Sequence, residues 1–188
     1  MNVYDFDGTI YDGESSFDFF MYCLPKRPAL LPFLHKFCIN LVKYKLCLID
    51  RQQLKDIVED NFHGLFKACP DYKELTEKFW DKNEKRIKAF YKKQQKDDDV
   101  IISASFDFLL EPICQRLGIK NLICSSGDTS TGKITRLCFR ENKLSLFKEH
   151  FPHRRADNFY TDSLNDASFA DFAEKSWLVK KNKIIPFK

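Results

Sequence analysis

The sequence predicts an α/β fold, in which a Rossmann-like, mainly parallel sheet forms the core and an all-helical segment is inserted after the first strand. Three observations lead to this prediction. An apolar strand pattern at the start of the chain ends in Asp5 and Asp7. From residue 15 to about residue 96, apolar residues recur at helical spacing. From residue 100 onward, strand patterns alternate with helix patterns, which is typical of a parallel sheet covered by helices.

The composition is that of an ordinary globular chain. Its 188 residues, 44% of them hydrophobic and 31% charged, suffice for one core with an inserted subdomain. The net charge of +4 is too small to indicate a nucleic-acid partner. The seven cysteines form no Cys-x-x-Cys pair, so neither a disulfide framework nor a zinc site is predicted, and a reducing, cytoplasmic location is expected. No signal peptide is expected, because the chain starts directly in the first strand.

The first element is a strand over residues 1–7, followed by a polar turn over residues 8–14. Two residues of a strand that are separated by one other residue point to the same face, so Asp5 and Asp7 are expected to converge at the strand end. One carboxylate can attack an electrophile while the other handles a proton, and both can share a cation. The Asp-Gly pair at residues 7 and 8 is typical of a tight turn.

The second part of the chain is helical from residue 15 to about residue 96. Ser15 or Ser16 is expected to be the N-cap of its first helix. Prolines then interrupt the pattern, and amphipathic helices are predicted over residues 31–48, 51–66 and 72–91. The helix over residues 31–48 has a broad apolar face and a lysine-rich polar stripe. It can pack against neighbouring helices or lie in a membrane interface, but it is too polar to span a bilayer.

The third part of the chain carries the alternating pattern. Its strands are predicted at residues 100–104, at 120–125, through Cys138, at 157–161 and at 176–179, and its helices at 107–117, 143–150 and 164–174. Ser103 ends the first of these strands, while Asp162 and Asp166 follow the strand over residues 157–161. Such folds place their ligands at the carboxyl ends of the strands, so these residues are expected to meet Asp5 and Asp7.

The order Asp-x-Asp, Ser, Lys, Asp-x-x-x-Asp resembles the motif order of the haloacid dehalogenase superfamily. The matching positions are Asp5 with Asp7, Ser103, Lys143, and Asp162 with Asp166. The chain most closely resembles the phosphoserine-phosphatase-like branch, in which the second motif continues as Ser-Ala-Ser, an aromatic residue and a helix ending in Leu-Gly. The resemblance implies the superfamily's fold, with residues 1–14 and 97–188 as the catalytic core and residues 15–96 as a helical cap.

The resemblance implies a Mg²⁺-dependent phosphomonoester hydrolase that acts through an aspartyl-phosphate. Asp5 is then the nucleophile, and Asp7 is the general acid that later serves as base. The implied Mg²⁺ ligands are Asp5, the main-chain carbonyl of Asp7, and Asp162. Ser103 is expected to donate its hydroxyl to a phosphoryl oxygen, and Lys143 to supply a fixed positive charge.

Other residues are assigned supporting parts. Lys133, in a Ser-Thr-Gly-Lys run, is the alternative to Lys143, but that run lacks the full phosphate-binding loop pattern. Further positions are expected to contact the phosphate or to orient the metal's ligands from behind: Gly8, Thr9, Ala104, Asn165 and Asp166.

The substrate is expected to be a small phosphorylated metabolite of the phosphoserine type. Glu14 lies nine residues after Asp5, where phosphoserine phosphatases bind the substrate ammonium, and Arg51 or Arg86 could pair with a substrate carboxylate. An alternative comes from the stretch between residues 19 and 48, which resembles the cap of bacterial phosphatidylglycerophosphate phosphatases of the same superfamily. That resemblance implies a lipid phosphate at a membrane surface.

The same fold also occurs in dehalogenases, phosphotransferases and inactive binding proteins, and the motif residues bear on each of these alternatives. Dehalogenases do not need the second acid of the first motif, so Asp7 argues against them, and an inactive binding protein would be expected to have lost one of the catalytic residues. Transfer of the phosphoryl group to an acceptor other than water stays open. Thr161 stands where the superfamily commonly has Gly, and Ala104 stands where phosphoserine phosphatases usually have Gly. The exact substrate therefore does not follow from the resemblance, and the sequence does not indicate the oligomeric state.

Overall fold

The computed structural model describes residues 1–45, 48 and 51–187, apart from several side chains between residues 34 and 55. The strands are β1 (Asn2–Tyr4), β2 (Val100–Phe106), β3 (Asn121–Gly127), β4 (Ile134–Arg136), β5 (Asn158–Thr161), β6 (Lys175–Lys180) and β7 (Lys183–Pro186). The α-helices are α1 (Ser15–Cys23), α2 (Leu31–Lys45), α3 (Arg51–Ala68), α4 (Tyr72–Asn83), α5 (Ala89–Gln94), α6 (Asp107–Arg116), α7 (Glu141–His150) and α8 (Ala167–Phe172). Short 3-10 helices lie at Pro28–Leu30, Glu84–Arg86 and Leu164–Asp166.

The strands of the described residues form one seven-stranded sheet in the order β4-β3-β2-β1-β5-β6-β7. The five central strands are parallel, while β4 and β7 are antiparallel to their neighbours at the two edges. The predicted α/β class and mainly parallel sheet are therefore confirmed. The edge strand β7 lies beyond the predicted elements, because all four of its residues are exposed and no buried face imposes an apolar alternation.

Successive residues of the central strands point to opposite faces of the sheet. Val3 and Phe159 face one core cluster, which includes residues of α7 and α8. Tyr4 faces the other cluster, which includes residues of α6 and of the helices between β1 and β2, and its ring stacks on Tyr160 at 4.7 Å. Because β1 lies in the middle of the sheet and is covered on both faces, the residues that follow it are held in a fixed place.

The helices between β1 and β2 share the second of these clusters with the sheet. Trp80 of α4 is fully buried, and its Nε1 donates to the carbonyl oxygen of Leu109 in α6 at 2.7 Å. Phe19 of α1 packs edge-on against Phe79 of α4 at 5.5 Å. These contacts join α1 to α4, and α4 to α6 beside the sheet. The division into residues 1–14 with 97–188 and residues 15–96 stays a prediction.

Two predicted boundaries are wrong at the start of the chain. The strand β1 ends at Tyr4 rather than at residue 7, so Asp5 and Asp7 follow the strand instead of belonging to it. The helix α1 begins at Ser15, which makes Glu14 its N-cap instead of Ser15 or Ser16. The reason is that the backbone N–H of Ser15 and the hydroxyl of Ser16 bond elsewhere, to Asp7 and Ser105.

The predicted helix over residues 72–91 is also interrupted. It stops at Asn83, and the chain then forms a bridge between Ile87 and Tyr11 before α5 begins. Arg86 donates to the carbonyl oxygen of Asp12, which stabilises this close approach. The helix α2 ends at Lys45, and residues 46 and 47 of the predicted segment lie outside the described residues. None of the described helices is both long and apolar enough to cross a bilayer.

Candidate active site

The carboxylate of Asp5 lies at the carboxyl end of β1, the central strand. Its backbone N–H donates to the carbonyl oxygen of Tyr160 at 2.9 Å, which continues the pairing with β5 by one residue. Its Oδ1 accepts from the backbone N–H of Phe6 at 2.9 Å. Only 7% of the residue is exposed. Asp5 is thus a buried carboxylate with a fixed orientation.

A buried lysine joins Asp5 to a second carboxylate. Nζ of Lys143 lies 3.0 Å from Oδ1 of Asp5 and 2.9 Å from Oδ2 of Asp166. Asp166 also accepts from the hydroxyl of Thr161 at 2.8 Å. Lys143 comes from the first turn of α7, whereas Asp166 follows β5, so this cluster joins three elements that are distant in sequence.

The charges of this cluster perturb one another. Burial raises the pKa of Asp5, the ammonium of Lys143 opposes that rise, and the carboxylates of Asp166 and Asp162 add to it. Burial alone would lower the pKa of Lys143, but the carboxylates of Asp5 and Asp166 reverse this effect and the net pKa is raised. Lys143 is therefore a permanent positive charge, and the site holds more negative charge than this one lysine offsets.

The carboxylate of Asp7 is bound through both of its oxygens. Oδ1 accepts from the backbone N–H of Ser15 at 2.6 Å, and Oδ2 accepts from the hydroxyl of Ser105 at 2.6 Å. Burial raises the pKa of Asp7, and the hydrogen bonds from Ser105 and Ser15 partly oppose that rise. Asp7 thus touches α1 and β2, whereas Asp5 touches α7.

The end of β2 bulges where the predicted serine motif lies. Ser103 pairs with Cys124 and Phe106 with Ser125, so Ala104 and Ser105 are extra residues in β2. Ser103 is 1% exposed, and its Oγ accepts from the backbone N–H of Ser105 at 3.1 Å. Ala104 is exposed, and its carbonyl oxygen is bound by the hydroxyl of Ser125. The bulge leaves the hydroxyl proton of Ser103 available to a further acceptor.

Gly8 allows Asp162 to approach the end of β1. A Cβ on residue 8 would lie 2.5 Å from Cγ of Asp162 and closer still to its Oδ2. The φ of +67° at Gly8 is also one that L side chains rarely adopt. The carbonyl oxygen of Gly8 accepts from Nζ of Lys88, a lysine that is 7% exposed. Burial lowers the pKa of Lys88, while Asp12 and Asp162 oppose that effect.

The substitution Gly8→Ala is expected to lower the free energy of unfolding by about 1–3 kcal/mol, because it combines backbone strain with a collision at Asp162. Gly118→Ala is a matched control, since Gly118 has a φ of +69° and nothing lies within 4 Å of its Cβ position. The measurement is urea unfolding of both variants. Equal losses in the two variants would contradict the close approach of Asp162.

The donor chemistry of the site fits Mg²⁺. When fully ionised, the site has a net charge of two negative, since its acids outnumber its lysines by two: Asp5, Asp7, Asp162 and Asp166 against Lys88 and Lys143. The described residues contain no cluster of three or more His, Cys, Asp or Glu side chains that could hold a metal. Mg²⁺ commonly takes one or two carboxylates and completes its octahedron with other oxygens. Asp5, Asp162 and the carbonyl of Asp7 offer such a set.

Several predicted site residues have no described contact with Asp5, Asp7 or Lys143. Asn165 is exposed, and its backbone N–H donates to the hydroxyl of Ser163 at 3.2 Å. Thr9 is fully buried, and its hydroxyl has no hydrogen-bond partner among the described residues. Lys133 lies exposed beside the turn between β3 and β4, whereas Lys143 contacts Asp5. The structure therefore favours Lys143 over Lys133 on position.

The residues predicted to bind the substrate lie in different environments. Glu14 is exposed at the start of α1, next to the residue that binds Asp7. The side chain of Arg51 lies outside the described residues. Arg86 binds Asp18 at 2.8 Å and the carbonyl oxygen of Asp12, beside the bridge between Tyr11 and Ile87. Its pairing with a substrate carboxylate stays a prediction.

Three residues of the site had no predicted part. Ser105 belongs to the Ser-Ala-Ser run, but its contact with Asp7 depends on the bulge in β2, which no local pattern indicates. Ser15 acts through its backbone, which carries no sequence signal. Lys88 lies 80 residues from Gly8 in the chain, and nothing around it marks it apart from the other lysines of this segment.

Comparisons with known proteins identify the family and the fold of this chain. The sequence model of a family described as haloacid dehalogenase-like hydrolase matches residues 3–171. A search of curated proteins found no match. Among solved structures, a protein of unknown function from Bordetella pertussis Tohama I has a TM-score of 0.77 at 17% identity, over 94% of this chain and 87% of that one.

Two further structures share the fold. A phosphoserine phosphohydrolase-like protein from Francisella tularensis subsp. tularensis SCHU S4 has a TM-score of 0.52 at 18% identity, over 94% of this chain and 86% of that one. A HAD family hydrolase from Salmonella enterica subsp. enterica serovar Typhi has a TM-score of 0.64 at 14% identity, over 92% of this chain and 60% of that one. At these identities, the structural likeness concerns the fold.

Proposed function

Because this chain belongs to the haloacid dehalogenase-like hydrolase family, we propose that it is a Mg²⁺-dependent phosphomonoester hydrolase that acts through an aspartyl-phosphate. The observation that carries the proposal is the contact of Lys143 with Asp5 at the end of the central strand. A buried carboxylate beside a fixed ammonium suits a nucleophile that must approach a dianionic phosphoryl group. The second carboxylate, Asp7, lies two residues away.

The two aspartates divide the reaction between them. A carboxylate oxygen of Asp5 attacks phosphorus, the bond from phosphorus to the leaving oxygen breaks, and Asp7 gives its proton to that oxygen. Asp7 is then a carboxylate, and it takes a proton from the water that attacks the aspartyl-phosphate. Inorganic phosphate leaves, and the carboxylate of Asp5 is restored. Each step uses Asp7 in the protonation state that the previous step produced.

Further groups are proposed to bind the transferred phosphoryl group or to hold the metal. The hydroxyl of Ser103 donates to one phosphoryl oxygen, and Lys143 offsets the charge on the others. Asp166 holds Lys143 in place from the opposite side. Asp5, Asp162 and the carbonyl of Asp7 would hold Mg²⁺, which would supply positive charge that offsets the repulsion between the nucleophile and a phosphate dianion.

We assign substrate selection to the helices of residues 15–96, as a cap over the site. Glu14 is the residue proposed to meet an ammonium group of a small substrate, because it is exposed immediately before α1. The five described cysteines that are free thiols, Cys23, Cys69, Cys114, Cys124 and Cys138, support a reducing, cytoplasmic location as part of the proposal.

A lipid phosphate is the second candidate substrate. The observation that favours it is a set of large apolar side chains exposed on the helices after β1. Phe17 and Met21, one turn apart on α1, are 46% and 41% exposed, and Leu31 at the start of α2 is 56% exposed. Lysines lie near these residues in sequence, as in segments that bind membrane interfaces.

We expect the wild-type protein to release phosphate from soluble phosphomonoesters when Mg²⁺ is present, and to lose this activity in EDTA. Phosphate release is measured from p-nitrophenyl phosphate, phosphoserine, sugar phosphates and micellar phosphatidylglycerophosphate, with the Asp5→Asn variant as the blank. Restoration by added Mg²⁺ separates metal removal from denaturation. Added alcohol, with a search for its phosphate ester, detects transfer to an acceptor other than water.

The pattern across these esters decides between the candidates. Preference for a small soluble ester supports the first candidate and makes Glu14 the leading specificity residue. Selective turnover of the micellar lipid supports the second candidate and gives Phe17 and Met21 a part in binding. Release no greater than that of the blank from every ester would contradict the proposed hydrolase.

A further inference from the structure

The two oxygens of Asp7 are bound by donors from two separate parts of the chain. Ser15, which binds Oδ1 through its backbone N–H, belongs to the first turn of α1. Ser105, which binds Oδ2 through its hydroxyl, belongs to the bulge of β2. Both distances are 2.6 Å, which is usual for a hydroxyl that donates to a carboxylate and short for a backbone N–H. Asp7 is therefore fixed at both ends of its carboxyl group.

The hydroxyl of Ser105 is itself oriented by α1. Its Oγ lies 2.8 Å from Oγ of Ser16 and 3.1 Å from Oγ of Ser15. A serine hydroxyl has one proton to donate and two lone pairs that accept. Since the proton of Ser105 is directed to Asp7, the hydroxyls of Ser16 and Ser15 act as its donors. The hydrogen bonds thus run from α1 through Ser105 to Asp7.

This arrangement leaves room for proton transfer. A carboxylate has about four lone-pair sites on its two oxygens, and the two serines occupy two of them. The remaining sites can carry the proton that the leaving oxygen receives. Ser105 is only 5% exposed, so water does not readily replace its hydroxyl if that group is lost. The bulge in β2 is what brings Ser105, rather than the exposed Ala104, to Asp7.

We propose that Ser105 is a positioning residue that aims the carboxyl group of Asp7 at the leaving oxygen, with Ser16 orienting the hydroxyl of Ser105 from α1. The inference rests on the proposed function, in which Asp7 protonates that oxygen. Its consequence is that the first turn of α1, which includes the exposed Phe17, helps to set the geometry of proton transfer. Ser105 does not touch the substrate in this proposal.

The test compares two esters that differ in their need for an acid. The leaving group of p-nitrophenyl phosphate departs without protonation, whereas the alkoxide of benzyl phosphate needs a proton. In Ser105→Ala, kcat/KM for benzyl phosphate is expected to fall by about tenfold to a hundredfold, as for loss of a hydrogen bond to a charged group. For p-nitrophenyl phosphate, a loss of less than about threefold is expected, because the acid contributes little to that ester.

Further variants separate positioning from folding. Ser105→Thr keeps the hydroxyl and should restore the wild-type ratio of the two kcat/KM values. Ser176→Ala is the matched control, because its hydroxyl binds the carbonyl oxygen of Ala170 on α8. Ser16→Ala changes an exposed residue and should shift the ratio in the same direction by about threefold. If Ser105→Ala does not fold, the ratio in Ser16→Ala decides the question.

The outcomes distinguish this inference from the proposed function. Equal losses for both esters in Ser105→Ala, or no loss for either, would overturn the positioning role while leaving the hydrolase intact. No phosphate release by the wild-type protein from either ester, relative to Asp5→Asn, would overturn the proposed function and this inference together. A selective loss for benzyl phosphate, with rescue by Ser105→Thr, supports the positioning role.

Discussion

Replacing Asp5 by Asn is expected to lower the rate of phosphate release by at least about a thousandfold, because the variant lacks the attacking carboxylate. The amide nitrogen and oxygen of Asn occupy the same space but do not form an acyl phosphate. Burial and the neighbouring acids already raise the pKa of Asp5, so the ionised form is held in a costly environment. The loss of activity should therefore come without a loss of stability.

Urea unfolding in metal-free buffer measures the effect of Asp5→Asn on stability. The midpoint for Asp5→Asn is expected to equal or exceed the wild-type value, since Lys143 retains Asp166 as its partner and one buried negative charge is removed. Asp97→Asn is the control, because its carboxylate is 96% exposed in the turn before β2. Turnover by Asp5→Asn within tenfold of wild type would contradict the role of Asp5 as nucleophile.

Replacing Lys143 by Met is expected to have the opposite signature, with activity and stability both lost. Without the ammonium, the buried carboxylates of Asp5 and Asp166 face each other with no counter-charge between them. Breaking a buried ion pair in this way costs about 3–5 kcal/mol of unfolding free energy. The value of kcat/KM should fall by about a hundredfold to a thousandfold, as for loss of a group that stabilises transition-state charge.

A second substitution tests the cause of the lost stability. The double variant Lys143→Met with Asp166→Asn removes one of the two opposed carboxylates, so it should recover about 2 kcal/mol relative to Lys143→Met alone. Activity should stay low in the double variant because the positive charge is still missing. Unfolding by urea and phosphate release are measured on the same preparations.

Lys133→Met provides the matched control for Lys143→Met. It is the lysine that the sequence leaves as the alternative, and it lies exposed beside the turn between β3 and β4. The kcat/KM and the free energy of unfolding should both stay near the wild-type values in this variant. If Lys133→Met lost activity while Lys143→Met kept it, the assignment of Lys143 would be wrong.

The sequence by itself determined the α/β class, because the alternation of strand and helix patterns depends only on local periodicity. It also indicated the order of the motifs, since Asp5, Ser103 and Asp162 each follow a recognisable apolar strand. The carboxyl ends of parallel strands meet at one edge of a sheet, so these residues could be expected to lie together. The strand β7 could not be predicted, because its residues are exposed and no buried face imposes an apolar pattern on them.

Only the tertiary structure decided how the site residues are paired. The motif order favours Lys143 over Lys133, but only the position of α7 shows which carboxylates Lys143 contacts, namely Asp5 and Asp166. The contact of Arg86 with Asp18, beside the bridge between Tyr11 and Ile87, likewise has no sign in the sequence. Such pairings join residues far apart in the chain, so no local pattern records them.

The contacts of Asp7 show the same division most clearly. The sequence identified the aspartate, because its spacing from Asp5 is local information. It did not identify Ser15 and Ser105, whose contacts with Asp7 depend on the start of α1 and on a bulge in β2. Local periodicity thus determined which elements form, while the packing of α1 against the sheet decided which hydrogen bonds Asp7 receives.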